Sequence, residues 1–108
     1  MTGTLVGIVL LLASAHPAAA DDWQYCLAPS STEHKVYMTP VFPVARTSAD
    51  AASAFAHLLE RAKLAYDVVQ CPRADDETSI VAMQQYALSY NRETGNRIVW
   101  FRLDRNAR

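Results

Sequence analysis

Apolar and polar residues alternate from residue 23 to residue 28, which predicts a half-buried strand. Large apolar side chains fall on one side of this strand, and the small side chains of Cys26 and Ala28 fall on the other. A turn-forming stretch at 29–33 leads to a second apolar run at 35–39. The two runs are therefore predicted to pair as a hairpin.

Two further segments have the periodicity of helices that pack against a core. In the first, apolar side chains recur on one stripe, at Ala51, Phe55, Leu58, Leu59 and Ala62. Thr47 or Ser48 can cap this helix, with Asp50 in its first turn. In the second, the residues predicted to share one core-facing side are Ile80, Met83, Tyr86, Ala87 and Tyr90. Gly95 follows this run, where a left-handed residue is expected to end the helix.

Between the two helices, the β-branched and aromatic residues of segment 66–71 predict a strand. Adjacent Val68 and Val69 indicate burial on both faces. Pro72 is expected to end this strand, because proline has no N–H to give to a ladder. A final strand is predicted at 97–103, followed by a polar tail from about residue 104.

The predicted order of elements is therefore β-β-α-β-α-β. Two helices and about four strands fit the α/β (α+β) class. We expect a small two-layer sandwich, in which both helices pack on one face of a roughly four-stranded mixed sheet. No repeat, linker or low-complexity tract interrupts this order of elements, which predicts one domain.

Three consecutive carboxylates, Asp75, Asp76 and Glu77, precede the second helix. They fit a helix N-terminus, where aspartate caps free N–H groups and negative charge suits the positive end of the helix dipole. Asp75 and Asp76 are therefore assigned as the helix cap. The alternative interpretation is a metal or acid/base cluster.

Residues 1–20 fit a secretory signal peptide, because an apolar run at 4–15 is followed by three alanines at 18–20. Cleavage before Asp21 would leave 21–108 as a single small domain, exported to the periplasm or the exterior. The run is shorter than the span of about 20 apolar residues that a membrane helix needs. We therefore expect no stable membrane insertion after cleavage. No Lys or Arg precedes the run, which leaves an uncleaved anchor as the alternative.

The chain has two cysteines, Cys26 and Cys71, and neither belongs to a C-x-x-C pair. In an oxidising compartment such a pair most simply forms one structural disulfide. The alternative is a reactive thiol or redox pair, for which no neighbouring group lowers a thiol pKa in an obvious way.

The net charge of −1 gives the chain no general electrostatic basis for binding nucleic acid. It has no glycine-rich phosphate loop and no paired-cysteine zinc motif, so we predict neither a cofactor nor a metal. His34 and His57 are the histidines of the predicted mature chain, and no second ligand stands at a suitable spacing from His57. We assign no catalytic residue.

These features favour a small exported, non-catalytic binding or accessory module, stabilised by one disulfide. Its expected partner is an unknown envelope protein or a cell-wall glycan. The alternative is a small secreted hydrolase with a minimal carboxylate/His site, so enzymatic activity is left open. An exposed apolar-aromatic patch would favour the module, whereas a concave pocket that contains His34 or His57 beside an acid would favour the hydrolase.

Overall fold

The computed structural model describes residues 22–44 and 50–103. The predicted signal peptide, the predicted capping residues Thr47 and Ser48, and the tail from residue 104 lie outside the described residues.

The described residues form six short strands and two helices in an α+β fold. The strands are β1 (Trp23–Gln24), β2 (Leu27–Ser30), β3 (Lys35–Met38), β4 (Phe42–Pro43), β5 (Arg73–Ala74) and β6 (Arg97–Trp100). The helices are α1 (Ala51–Arg61) and α2 (Glu77–Glu93). The strands form two three-stranded sheets, in the orders β4-β1-β5 and β2-β3-β6. All pairs are antiparallel except β3 with β6, which are parallel. The predicted class and the coarse order of elements are confirmed.

The predicted N-terminal hairpin is present and runs through both sheets. Leu27 lies opposite Met38, whereas Gln24 lies opposite Phe42. Two residues of the first strand therefore face three residues, 39–41, of the second, which is a β-bulge. The bulge contains a proline, a residue that sheets tolerate at bulges and edges. One continuous hairpin thus joins the two sheets.

The two helices lie on opposite faces of this sheet structure. Val36 and Met38 belong to one core cluster with Ile80 of α2. Tyr37 lies between them in β3 and belongs to another cluster, with Phe55 of α1. Since neighbouring side chains of a strand point to opposite faces, α1 and α2 cover different sides. The structure therefore corrects two details of the predicted sandwich: two three-stranded sheets replace the one roughly four-stranded sheet, and the helices cover different sides rather than one face. Both sides of the central strands are apolar, and each side needs its own cover against water.

Segment 66–71 is less buried than its sequence predicts. Its isolated bridge pairs Gln70 with Leu27, and β5 follows it at Arg73–Ala74. Pro72 does not end the pairing, because its carbonyl still accepts a hydrogen bond from the N–H of Tyr25. Within the described part of the chain this segment has a neighbour on one side, as in an edge strand, and Val68 is about half exposed. The prediction of burial on both faces is wrong for this reason.

The predicted disulfide between Cys26 and Cys71 is present, with a Cα–Cα distance of 4.0 Å. Leu27 and Gln70 exchange both backbone hydrogen bonds. The next pair along the ladder, Cys26 and Cys71, therefore occupies a non-hydrogen-bonded position, where the Cα atoms of opposite residues are closest. The bond ties the edge segment to the first strand on the α1 side of the sheet.

α1 packs against the small side chains of the first strand. Asp50, which is predicted to lie in the first turn, is instead the N-cap, and its side chain accepts a hydrogen bond from the N–H of Ala52 at 3.2 Å. Lys63, two residues after the last helical residue Arg61, has a φ of 59°, and the N–H of Leu64 donates a hydrogen bond to the carbonyl of Leu59. This pattern is a Schellman motif in which lysine takes the left-handed position. No helix among the described residues has the length and hydropathy needed to cross a membrane.

Candidate functional site

α2 begins at one of the two aspartates assigned to its cap. Asp76 is the N-cap residue, and its Oδ1 accepts a hydrogen bond from the N–H of Ser79 at 2.7 Å. This hydrogen bond lowers the pKa of Asp76. Asp75 lies one residue earlier, and its carboxylate accepts no hydrogen bond from any described residue. Residues 22–44 and 50–103 contain no group of three His, Cys, Asp or Glu side chains that could hold a metal ion.

α2 ends in a Schellman motif, with Gly95 as the predicted left-handed residue. Gly95 has a φ of 90°, and its N–H bonds the carbonyl of Arg92. The N–H of Asn96 bonds the carbonyl of Asn91 at 2.8 Å. Glycine adopts this conformation without the steric cost that a Cβ brings. The position predicted for the end of the helix is confirmed.

Between these ends, the buried side of α2 differs from the predicted one. Its buried residues are Ile80, Gln84, Leu88 and Asn91. Of the residues predicted to face the core, Ile80 is buried and Ala87 packs partly against the core, whereas Met83, Tyr86 and Tyr90 are exposed. The predicted core-facing side is therefore wrong for three of its five residues.

The polar residues of the buried side are needed by the structure beneath them. Gln84 donates from Nε2 to the carbonyl oxygen of Thr39 at 2.8 Å, and Thr39 belongs to the β-bulge. The hydroxyl of Thr39 in turn accepts a hydrogen bond from the N–H of Cys26 at 2.9 Å. A bulge disrupts the ladder locally, and a buried backbone group without a partner is costly. The side chain of Gln84 therefore donates the hydrogen bond that the carbonyl of Thr39 would otherwise receive from a neighbouring strand.

Asn91 has a similar role near the end of α2. Its Nδ2 donates to the carbonyl of Ala87, and its Oδ1 accepts from Nδ2 of Asn96 at 3.0 Å. The bond from Asn96 ties the last turn of α2 to the residue that precedes β6. The side-chain amide of Asn91 therefore stabilises the connection between α2 and β6.

The outer side of α2 carries an aromatic stripe. Met83, Tyr86 and Tyr90, which we call the tyrosine stripe, are 41%, 77% and 58% exposed. They recur at i, i+3 and i+7, so they lie along one line of the helix. None of the residues from 78 to 91 is charged, whereas Glu77 and Arg92 border this stretch. An ordinary solvated helix side carries charged residues, so the composition of this side is unusual for a surface.

The outer side of α1 has the opposite composition. Its exposed residues are Ser53, His57, Glu60 and Arg61. The pKa of Tyr66 is raised chiefly because its hydroxyl bonds the carboxylate of Glu60 at 2.6 Å. This side fits a solvated surface, and it serves as a control for substitutions on α2.

The two histidines considered for a carboxylate/His site are exposed on separate elements. His34 is exposed in the turn between β2 and β3, with a φ of 55°, and His57 is exposed on α1. No Asp or Glu of the described ranges bonds either imidazole. A cavity of about 110 Å³ contains neither histidine, and its lining is formed by Pro40, Val41, Phe42, Arg102 and Leu103. Ligand pockets usually measure about 300–1,000 Å³.

The periodicity of α2 predicts that the tyrosine stripe faces the core, but one other feature of the sequence indicates that it is exposed. The absence of charge from 78 to 91 exceeds what one buried helix side requires, because the other side of a surface helix is normally polar. Trp100 of β6 is a separate exposed aromatic residue, at 50%.

No protein-family model, no curated protein and no solved structure matches this chain. The surface chemistry of the domain is therefore the basis for a functional proposal.

Proposed function

We propose that the protein is a small exported, non-catalytic binding module that docks onto another protein of the cell envelope through the outer side of α2. The observation that carries this proposal is the tyrosine stripe on a helix side without charged residues. A cell-wall glycan is the second partner class that the sequence leaves open, and the experiment below separates the two.

The composition of the stripe supports a protein partner. Tyrosine and methionine are enriched in protein interfaces, and charged residues are depleted from the interface centre. A tyrosine ring buries a large apolar area while its hydroxyl keeps a hydrogen bond. Tyr86 and Tyr90 are well exposed, and the core clusters of the described residues include neither ring. Packing of the described residues therefore does not require an aromatic side chain at either position.

Export is supported by the disulfide. Disulfides persist in oxidising compartments and are rare in the cytosol. The bond between Cys26 and Cys71 joins two segments of a small domain, which has a limited core. The signal-like residues 1–20 point to the same compartment.

The test compares two double variants with matched new residues. One replaces Tyr86→Gln and Tyr90→Gln on α2, and the control replaces Ser53→Gln and His57→Gln on α1. Each full-length chain is expressed in its source cells, purified from the envelope fraction and immobilised. Solubilised envelope proteins and purified peptidoglycan are then applied separately, and the retained material is quantified.

We expect the parent and the α1 control to retain the same envelope protein, and the α2 variant to lose it. All three should have melting temperatures within a few degrees of one another, because the four substituted residues are exposed. Equal retention by the α2 variant and the parent would contradict the proposal. Stripe-dependent retention of peptidoglycan alone would transfer the binding role to the glycan.

A further inference from the structure

We infer that α2 is received as a helical ligand by an apolar groove of the partner protein, whose rim is basic where α2 begins. This inference rests on the proposed function and adds the shape and charge of the partner.

The spacing of the stripe fits insertion into a groove. Met83, Tyr86 and Tyr90 stand at i, i+3 and i+7, the anchor spacing of helices that lie in hydrophobic grooves. The helix has 17 residues, which is about 25 Å at a rise of about 1.5 Å per residue. The anchors occupy its central part, so both ends remain free to contact a rim.

Exposed apolar side chains lie on both flanks of α2. Val81 is exposed like Met83. The two residues are about 200° apart around the helix, since each step turns by about 100°. Tyr86 projects between these flanks. A flat partner would contact one flank, whereas a groove contacts both and the outer line together.

The area argues against a second copy of the chain as the partner. Aromatic side chains bury about 150–250 Å² each when fully covered, so the exposed fractions of Tyr86 and Tyr90, 77% and 58%, offer roughly 200–340 Å² to a partner. The smaller exposed fractions of Met83 and Val81 add less than this. Stable interfaces bury about 800 Å² on each partner. Two copies packed through this helix side alone fall well short. A groove adds its walls to the contact and is supplied by a larger protein.

The charges at the ends of α2 give the groove a polarity. Asp75, Asp76 and Glu77 are consecutive and exposed, and none forms an ion pair with another described residue. At the other end Arg92 and Glu93 offset each other. Lys or Arg side chains on the rim near the start of α2 would complement the three acids, steer association and fix the direction of docking.

The first experiment maps the contact with a photo-crosslinking amino acid. It replaces Val81, Tyr86 or His57, one at a time, in the full-length protein within intact source cells. We expect positions 81 and 86 to crosslink to one polypeptide, at segments that form facing walls of a groove, and position 57 on α1 to give no such product.

The second experiment uses that crosslinked polypeptide, purified, as the binding probe. Tyr86→Ala should weaken binding by about 10- to 30-fold, as at other interface anchors. Neutralising the acids with Asp75→Asn and Glu77→Gln should lower the association rate roughly threefold, and the loss should shrink as salt screens the charges. The control removes two exposed carboxylates away from α2, with Glu33→Gln and Glu60→Gln, and should leave the rate unchanged.

Three outcomes would overturn the inference. They are crosslinks from position 81 or 86 to a second copy of the chain, crosslinks from one flank only, or equal rate losses in both neutralised pairs. Each of them leaves stripe-dependent retention of an envelope protein, and hence the proposed function, intact. Failure of that retention would instead remove the proposed function itself.

Discussion

The two helices use the same devices at their ends and opposite chemistry along their sides. α1 starts at the cap Asp50 and α2 at the cap Asp76, and each ends in a Schellman motif, at Lys63 and Gly95 respectively. Along its sides, α1 is apolar inside and polar outside. α2 buries two amides, in Gln84 and Asn91, and exposes its aromatic residues.

This difference separates the demands of folding from those of binding. Burial of apolar area is the main drive for packing a helix on a sheet, and α1 follows it with Phe55 and Leu59 fully buried. In α2, Tyr86 and Tyr90 stay outside, where they give up that contribution. A side chain that does not help the fold is free to serve a partner, so the α2 side is the functional candidate.

The largest expected effect comes from breaking the α1 side at its disulfide. The cysteines are 45 positions apart, and the chain-entropy model assigns about 4 kcal/mol to a loop of this length. Reduction, or Cys26→Ala with Cys71→Ala, should therefore lower the melting temperature by roughly 15–30 °C. Circular dichroism melts with and without reductant measure this. Thiol titration is the control for complete reduction, and an unchanged melting temperature after verified reduction would count against a structural role.

A smaller loss is expected on the α2 side from Gln84→Leu. The carbonyl of Thr39 would then be buried without its donor, at a cost of about 1–3 kcal/mol that added apolar burial offsets only in part. Urea unfolding should show a net loss of about 1–2 kcal/mol. Gln85→Leu, at an exposed neighbouring position, is the matched control. Greater stability in the Gln84 variant would mean that the bulge needs no side-chain donor.

The contrast between the helices also explains how far the sequence predicts the structure. α1 is largely predictable because a local rule, apolar residues facing the core, decides it; of the predicted stripe only Ala62, the C-cap residue, is exposed. The inner side of α2 depends on the bulge at 39–41, which arises from the pairing of Leu27 with Met38 and of Gln24 with Phe42. The residues next to Gln84 in the sequence give no indication of that bulge. Hydrophobicity alone therefore places the tyrosines inside.

A similar limit applies to the sheet. The alternation in the first strand correctly separates the side of Tyr25 from the side of Cys26, and the disulfide follows from the cysteine count. Whether the helices cover one face of the sheets or both depends on how the segments assemble, which the local pattern does not determine. Adjacent apolar residues such as Val68 and Val69 look the same in a central strand and at an edge, so the edge position of segment 66–71 escapes local pattern analysis.

The ends of the helices allow a matched pair of substitutions. Lys63→Gly on α1 should stabilise the domain by about 1 kcal/mol, because glycine relieves the left-handed strain of a side chain with a Cβ. Gly95→Ala on α2 should destabilise it by about the same amount, although a Cβ there would meet no other atom within 4 Å. Chemical denaturation measures both. Effects of the same sign in the two variants would show that something other than backbone strain dominates.

The smallest expected effect concerns the cap of α2. Asp76→Asn should be nearly neutral, because asparagine also accepts a hydrogen bond at an N-cap, whereas Asp76→Ala should lower the melting temperature.

The hydrogen bond from Ser79 lowers the pKa of Asp76 in the folded state. Its stabilising contribution is therefore complete above the unfolded pKa of about 3.9 and is lost as the pH falls through the lower folded value. Melting between pH 2 and pH 7 should accordingly show a steeper acid loss for the parent than for Asp76→Asn. Asp75→Asn is the control, since that carboxylate accepts no hydrogen bond from a described residue. An equal change in acid sensitivity for Asp75→Asn would assign the effect to the charge cluster rather than to the cap.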